Sequence, residues 1–329
     1  TDAKGGRKCS GRMGESMRKQ KMKKILYLLA AGVLLLMSMS GCGKEAETGK
    51  TQVAMIVKST ESAFFKSVFA GARAAATEYN LNVTFNGPES EEDYVTQNEM
   101  VRQAMEDGVD VIVFSAVDYN ANAEIIGQAA QRGIKIVVID SDVNSSMVSC
   151  RIGTNNLQAG VKAAEAALAV GEDELYIGIV NYDVNSANGQ QRELGFRQTV
   201  EQDPRVKDIT TINVLSTTED ARINVVVTFN EWTSLGVGWA IRDLDRGDRT
   251  QVVAFDSNVQ TIDALQSGAV DSLIVQNTYS MGYFGVESAY RLLAGQGGSV
   301  EKSNITAVRV ITRDNMFAID KQKALFPFG

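Results

Sequence analysis

The stretch "DGVDVIVFSAVDYNANAEIIGQAAQRGIKIVVIDSDV", residues 107–143, decides the fold class. A β-branched apolar run at 111–116 is followed by a segment of helical period from Asn120 to Arg132. A second β-branched run follows at 135–140. Strand, helix and strand in this order, with strands apolar on both faces, mark a parallel sheet covered by helices.

The same unit repeats outward in both directions. Further strands are expected at 52–57, 82–86, 175–180, 209–215, 225–229, 251–255 and 271–276. Further helices are expected at 64–79, 94–107, 157–170, 190–202, 235–244, 259–266 and 279–293. The pattern breaks near Gly153. This predicts an α/β protein of two doubly wound parallel-sheet lobes joined by a hinge. The pattern places one lobe before that break and a second after it.

Ahead of the first strand lies a different kind of sequence. Arg18, Lys19, Lys21, Lys23 and Lys24 precede "ILYLLAAGVLLLM", an apolar run of 13 residues, too short to span a bilayer comfortably and the length of a secretion-signal core. The small residues Ser38, Ser40 and Gly41 then lead to Cys42, an arrangement that resembles the bacterial lipobox, with Met39 where leucine is usual. On this resemblance Cys42 is lipidated, residues 43–50 form a flexible tether, and the protein is exported and anchored on the outer face of the cytoplasmic membrane. Cleavage near Cys42 to release a free protein is the alternative. The first sixteen residues read as an over-extended start, with Met17 or Met22 as the initiator.

Composition narrows the function. Residues 1–42 carry 9 Lys and Arg against 2 Asp and Glu, which leaves residues 43–329 with 24 against 38, a net charge of −14. An exported acidic protein is a poor partner for nucleic acid. There is no histidine, and Cys150 is the only cysteine beyond Cys42. The usual zinc sites, histidine-based catalysis and internal disulfides are therefore excluded, and no cofactor is expected.

In doubly wound sheets, ligands bind beyond the carboxyl ends of the strands. Those positions hold 59–65, 116–119, 140–142, 181–190, 230–232, 256–258 and 276–277, rich in short acids and amides with a few aromatics. Amides and acids engage several hydroxyls at once, and an aromatic face covers the C–H side of a sugar ring. The chemistry suits a polyol.

At these residues the chain resembles the type I periplasmic sugar-binding proteins, the ribose- and galactose-binding family that feeds ABC importers. The likeness runs through "IVKSTESAFFKSVFAGARAAA", "GIKIVVIDSDV", "NGQQRELGFRQ", "TFNEWTSLGVGWAI", "VVAFDSN" and "VQNTYSMGYFGVESAYRLL". Carried over position by position, it implies that Phe64 and Phe65 stack on a sugar beside Ser62 and that Asp140 accepts a hydroxyl. Gln190, Asn230 and Asp256 would contribute from the second lobe, and Gln276 would lie at the hinge. Members often carry arginine at the positions matched by Gln190 and Ser141, so the charge-assisted grip on hydroxyls is expected to be weaker here. The "DSD" at 140–142 is similar to members that bind rhamnose or autoinducer-2.

Plainer readings stand beside these. Phe65 could be core, Asn230 and Asp256 could cap helices, and Asp140 could order a turn. Trp232 could stack on ligand or pack at a lobe edge. Met281 and Phe284 read as core, Cys150 as an inert hydrophobe, and the run 89–93 as a solvated helix face. Residues 216–224, "STTEDARIN", are too few for a crossover helix, so either a helix-sized loss in the second lobe or an extended link that leaves one sheet face uncovered is expected, with at most one turn at 217–223.

The implied function is non-catalytic: a monomer captures a monosaccharide or polyol between its lobes and delivers it to an ABC permease. The alternative is a sensor presenting sugar or autoinducer-2 to a histidine kinase or chemoreceptor. A lactose-repressor-type regulator would need an N-terminal helix-turn-helix where the signal stands, and an enzyme would need Asp140 and Asp256 to act as a carboxylate pair.

Overall fold

Two six-stranded sheets form the frame of the protein, seen in a computed structural model that describes residues 50–212 and 222–327. The first sheet contains β1 (Gln52–Ile56), β2 (Asn82–Asn86), β3 (Val111–Phe114), β4 (Lys135–Ile139), β5 (Cys150–Thr154) and the late strand β11 (Ser303–Thr306). Its order is β11-β5-β4-β3-β1-β2, and every pairing is parallel. The second holds β6 (Leu175–Val180), β7 (Val206–Ile212), β8 (Val225–Thr228), β9 (Gln251–Phe255), β10 (Ser272–Gln276) and β12 (Val308–Thr312), in the order β12-β10-β9-β8-β6-β7. Only β12 runs antiparallel, against β10.

Helices cover both faces of each sheet. The first lobe carries α1 (Ala63–Glu78), α2 (Tyr94–Glu106), α3 (Ala123–Gln131) and α8 (Thr278–Leu293). The second carries α4 (Asn156–Leu168), α5 (Ala187–Val200), α6 (Glu231–Asp243), α7 (Val259–Ser267) and α9 (Ile319–Leu325). Successive strand residues point to opposite faces, so a single strand feeds two cores. Val111, Val113, Val137 and Ile139 pack with α1 and α8, whereas Ile112, Phe114, Ile136 and Val138 pack with α2 and α3. This double burial is why the strands are apolar at every position.

A close helix crossing organises each lobe. A Cβ on Gly71 of α1 would lie 2.0 Å from the Tyr279 carbonyl oxygen of α8, and one on Gly282 of α8 would lie 1.8 Å from the Val68 oxygen of α1. The second lobe repeats the device: a Cβ on Gly160 of α4 would lie 2.0 Å from the Arg192 oxygen, and one on Gly195 of α5 would lie 2.1 Å from the Leu157 oxygen. Only residues without a side chain let these backbones touch. The crossings also fix where Phe64 and Phe65 of α1 and Arg192 of α5 stand.

The chain passes between the sheets three times: after β5, after β10, and between β11 and β12. Several elements differ from the sequence reading. β5, β11, β12 and α9 were not among the expected elements, and the helix expected at 190–202 begins at Ala187. β7 ends at Ile212, and residues 213–221 of the short link lie outside the described residues. At its described end, Arg222 sits 5.0 Å over the Tyr176 ring, and Ile223 lies 3.3 Å from where a Cβ on Gly178 would stand. The signal, Cys42 and nearly all of the tether also lie outside the described residues.

Candidate functional site

Both sheets reverse their winding direction at a central strand, β1 in one and β6 in the other, and the carboxyl ends of strands at such a point form a crevice. Lys58 follows β1, Asp140 follows β4, Asp183 follows β6, Asn230 follows β8, Asp256 follows β9 and Gln276 ends β10. All six line one cleft between the lobes, and their side chains leave about 20 Å³ between them.

Asp140 and Asp256 share an unusual backbone. Their φ angles are +54° and +68°, in the left-handed region that Asp and Asn tolerate best among non-glycine residues. Asp140 accepts from Ser115 Oγ at 2.9 Å and, across the lobes, from Asn188 Nδ2 at 2.9 Å. Asp256 accepts from Gln276 Nε2 at 2.7 Å. Burial pushes both carboxyls up. Asp256 reaches about 7 although Arg192 and Gln276 favour its charged form. Asp140 is raised in the same way against the pull of Lys58 and Arg192.

The other expected residues divide. Phe64 and Phe65 line the cleft edge to face at 5.0 Å between centroids and also belong to the first lobe's core, so the two readings of Phe65 hold together. Ser62 donates to Glu231 Oε2 of the second lobe at 2.6 Å. Asn230 has both of its expected roles. Its Oδ1 caps α6 by accepting from the Thr233 amide at 2.9 Å, and its Nδ2 is buried at the cleft without a partner. Asp256 caps nothing, since Asn258 caps α7 with a full capping box. Gln276 Oε1 accepts from Thr154 at 2.7 Å and from Arg192 Nη2 at 2.8 Å.

Gln190 is a correction. It is exposed, and its Nε2 donates to the Val184 carbonyl, away from the cleft. Ser186 caps α5 by accepting from the Gly189 amide at 3.1 Å, so the helix starts three residues earlier than expected. With that start, Asn188 and Arg192, four apart, face the cleft together, and Gln190 points elsewhere. The cleft therefore does hold an arginine, Arg192, two positions beyond Gln190. It is 2 % exposed, and its fork reaches Asn156, the Phe229 carbonyl and Gln276. Ser141 is buried beside Asp140, its hydroxyl unpartnered.

A second correction concerns the acidic run. Asp93 caps α2, but Glu91 turns inward and pairs with Lys58 at 3.1 Å. Lys58 also reaches Asp183 of the second lobe at 2.8 Å. Burial opposes the charge of Lys58, yet Asp183, Glu91 and Asp140 outweigh it and hold the ammonium above the ordinary lysine range. Burial raises Glu91, and Lys58 only partly offsets that. Trp232 does not line the cleft; it stands at the lobe edge, 39 % exposed, and its Nε1 donates to Glu91 of the other lobe at 3.1 Å. Met281 and Phe284 lie in and against the first core, and Cys150 is buried. No group of acids and cysteines suited to a metal occurs among the described residues.

Sequence reasoning did not single out Lys58, Glu91, Asp183, Asn188, Arg192 or Glu231, although Asp183, Asn188 and Glu231 fall within its strand-end stretches 181–190 and 230–232. Glu231 opens α6 and reaches the start of α1 in the other lobe, accepting from the Ser62 hydroxyl and the Phe64 amide at 3.1 Å. Its place directly after Asn230 was the available signal. Taken together, the cleft offers acids, amides and two cations drawn from both lobes, a set suited to a neutral molecule with many hydroxyls.

Comparison with known proteins agrees with this chemistry. A family model described as "Periplasmic binding protein domain" matches residues 53–297. The D-ribose/D-allose-binding protein of Pseudomonas aeruginosa PAO1 is 26% identical over 288 residues, covering 80% of this chain and 89% of that one. The ribose import binding protein of Escherichia coli K12 is 25% identical over 291 residues, covering 84% and 94%. Among solved structures, a carbohydrate transporter solute-binding protein from Agrobacterium radiobacter, in complex with D-arabinose, superposes with a TM-score of 0.81. It is 27% identical and covers 84% of this chain and 99% of its own.

Proposed function

The chain belongs to the periplasmic binding protein family, whose members bind and do not catalyse, and we propose that it captures a sugar or related polyol between its lobes for an ABC permease. The observation that carries this reading is the convergence of Asp140 from one lobe with Asn230, Asp256 and Arg192 from the other on a single cleft. Ser62, Phe64, Phe65 and Gln276 complete the proposed site, with the rings covering the apolar side of the sugar. Hinge closure around ligand is the motion known for periplasmic binding proteins. A ligand that touches both lobes favours the closed form because it gains contacts only there. Several net hydrogen bonds of about 0.5–1.5 kcal/mol each reach the roughly −8 kcal/mol of micromolar binding.

The lobes are proposed as 51–153 with 277–307 and 154–276 with 308–329. Lipidation at Cys42 would hold the receptor beside its permease. A thermal-shift screen of the purified protein against pentoses, hexoses, deoxy sugars and polyols tests the reading. Ligand at about 1,000 times its Kd adds about 4 kcal/mol, so a binder raises the melting temperature by several degrees. A flat response across the panel would remove the proposal.

A further inference from the structure

Behind the cleft, on the far side of Phe64, Asp256 and Gln276, lies a larger cavity of about 400 Å³. Those three residues line both spaces, so the two adjoin at their side chains. The cavity is amphipathic. Ile262, Val259, Val275, Leu325, Phe326 and Pro327 supply apolar walls from the second lobe, and α1 closes it from the first through Ala63, Phe64 and Ser67. Asp256 and Gln276 supply polar groups where the cavity adjoins the cleft, and Ser67, Ser257, Asn258 and Thr278 add others to its lining. Val259 and Phe326 are 79 % and 46 % exposed, which places the cavity's rim at the protein surface.

We propose that this cavity is a second subsite, which takes the apolar aglycone of a glycoside whose sugar occupies the cleft. The inference rests on the sugar reading above and narrows its substrate class from free monosaccharides to aryl or alkyl glycosides. Volume supports it: an apolar cavity of about 150 Å³ holds a benzene ring, and this one is well over twice that size. So does polarity, because a free sugar would leave hydroxyls against Ile262, Leu325 and Pro327 without partners, whereas an aromatic or alkyl group is at home there. Position supports it as well. A group passing between Phe64 and Gln276 stays in contact with both lobes, so its burial adds to closure.

The test is calorimetric titration of the purified protein with free sugars and with matched methyl and p-nitrophenyl glycosides of glucose, galactose, arabinose and ribose. The expected result is that, for the sugar that binds, the p-nitrophenyl glycoside binds at least about tenfold more tightly than the methyl glycoside, since only the aryl ring adds buried apolar area. Val259→Trp crowds the mouth from an exposed position that the core does not depend on, and Phe326→Ala removes a wall. Each should abolish most of the aryl advantage, leaving methyl glycoside affinity and melting temperature unchanged. Equal affinities of methyl and aryl glycosides, or an aryl advantage that survives both variants, would overturn this inference and leave the sugar reading intact. Failure of every sugar and glycoside to bind would overturn both.

Discussion

Asp256 joins the protein's stability to its proposed function with opposite signs. Its carboxyl titrates near 3.8 when unfolded and at about 7 in the folded cleft. Between these values the folded state holds a proton that the unfolded state has released. The stabilising contribution is therefore complete below about pH 4 and is lost as pH rises to about 7. Burial raises Asp140 and Glu91 in the same direction. The ligand-free protein should therefore lose melting temperature from pH 4.5 to 7.5, and Asp256→Asn should flatten part of that slope. Sugar affinity should move the other way, rising through about pH 7, because an ionised Asp256 accepts a sugar hydroxyl better than a protonated one. Calorimetry at pH 5.5 and pH 8 checks this.

The register of α5 gives a second residue-level contrast. Gln190→Ala should leave sugar affinity unchanged, whereas Arg192→Gln should cost at least about tenfold, since loss of the buried fork releases Gln276 and Asn156 together. Sequence could place Asp140, Asn230, Asp256 and Gln276, because each follows a strong apolar strand and inherits its position from that strand's end. It could not place Lys58, Glu91 or Arg192. Charged residues read as solvated until a second lobe, distant in sequence, covers them and supplies their partners. Lys58 and Asp183 are 125 residues apart.

At the level of elements, paired glycines set the distance between the helices that present the site. Gly282→Ala would drive a methyl group into the Val68 carbonyl, and the Gly160→Ala methyl would meet Arg192. Each should destabilise the protein by about 1–3 kcal/mol in chemical denaturation, the usual cost of overpacking. Gly160→Ala should also weaken sugar binding, because it displaces the helix that carries Arg192. An unchanged denaturation midpoint for both would show that the crossings are looser than described. The central strands and most helices were legible from periodicity. The short strands β5, next to the edge, and β11, at it, were not: "CRIGT" and "SNIT" are only partly buried, so selection for apolar residues is weak there. The start of α5 was hidden for a different reason. Its first turn contains Asn188 and Gly189, both poor helix formers, and the Ser186 cap is what marks the boundary.

Across the whole molecule, side chains from each lobe bind groups of the other: Lys58 to Asp183, Ser62 to Glu231, Asp140 to Asn188 and Trp232 to Glu91. A sugar entering this cleft must therefore replace some of those bonds with its own. It can do so only by engaging groups on both sides, which makes two-sided contact the central claim. Calorimetric titration of the stabilising sugar into Asp140→Ala, from the first lobe, and Asn230→Ala, from the second, tests this most directly. Both variants should lose at least about tenfold in affinity, with Asn230→Ala also losing about 1 kcal/mol of stability as its helix cap goes. Wild-type affinity in either variant would contradict the account.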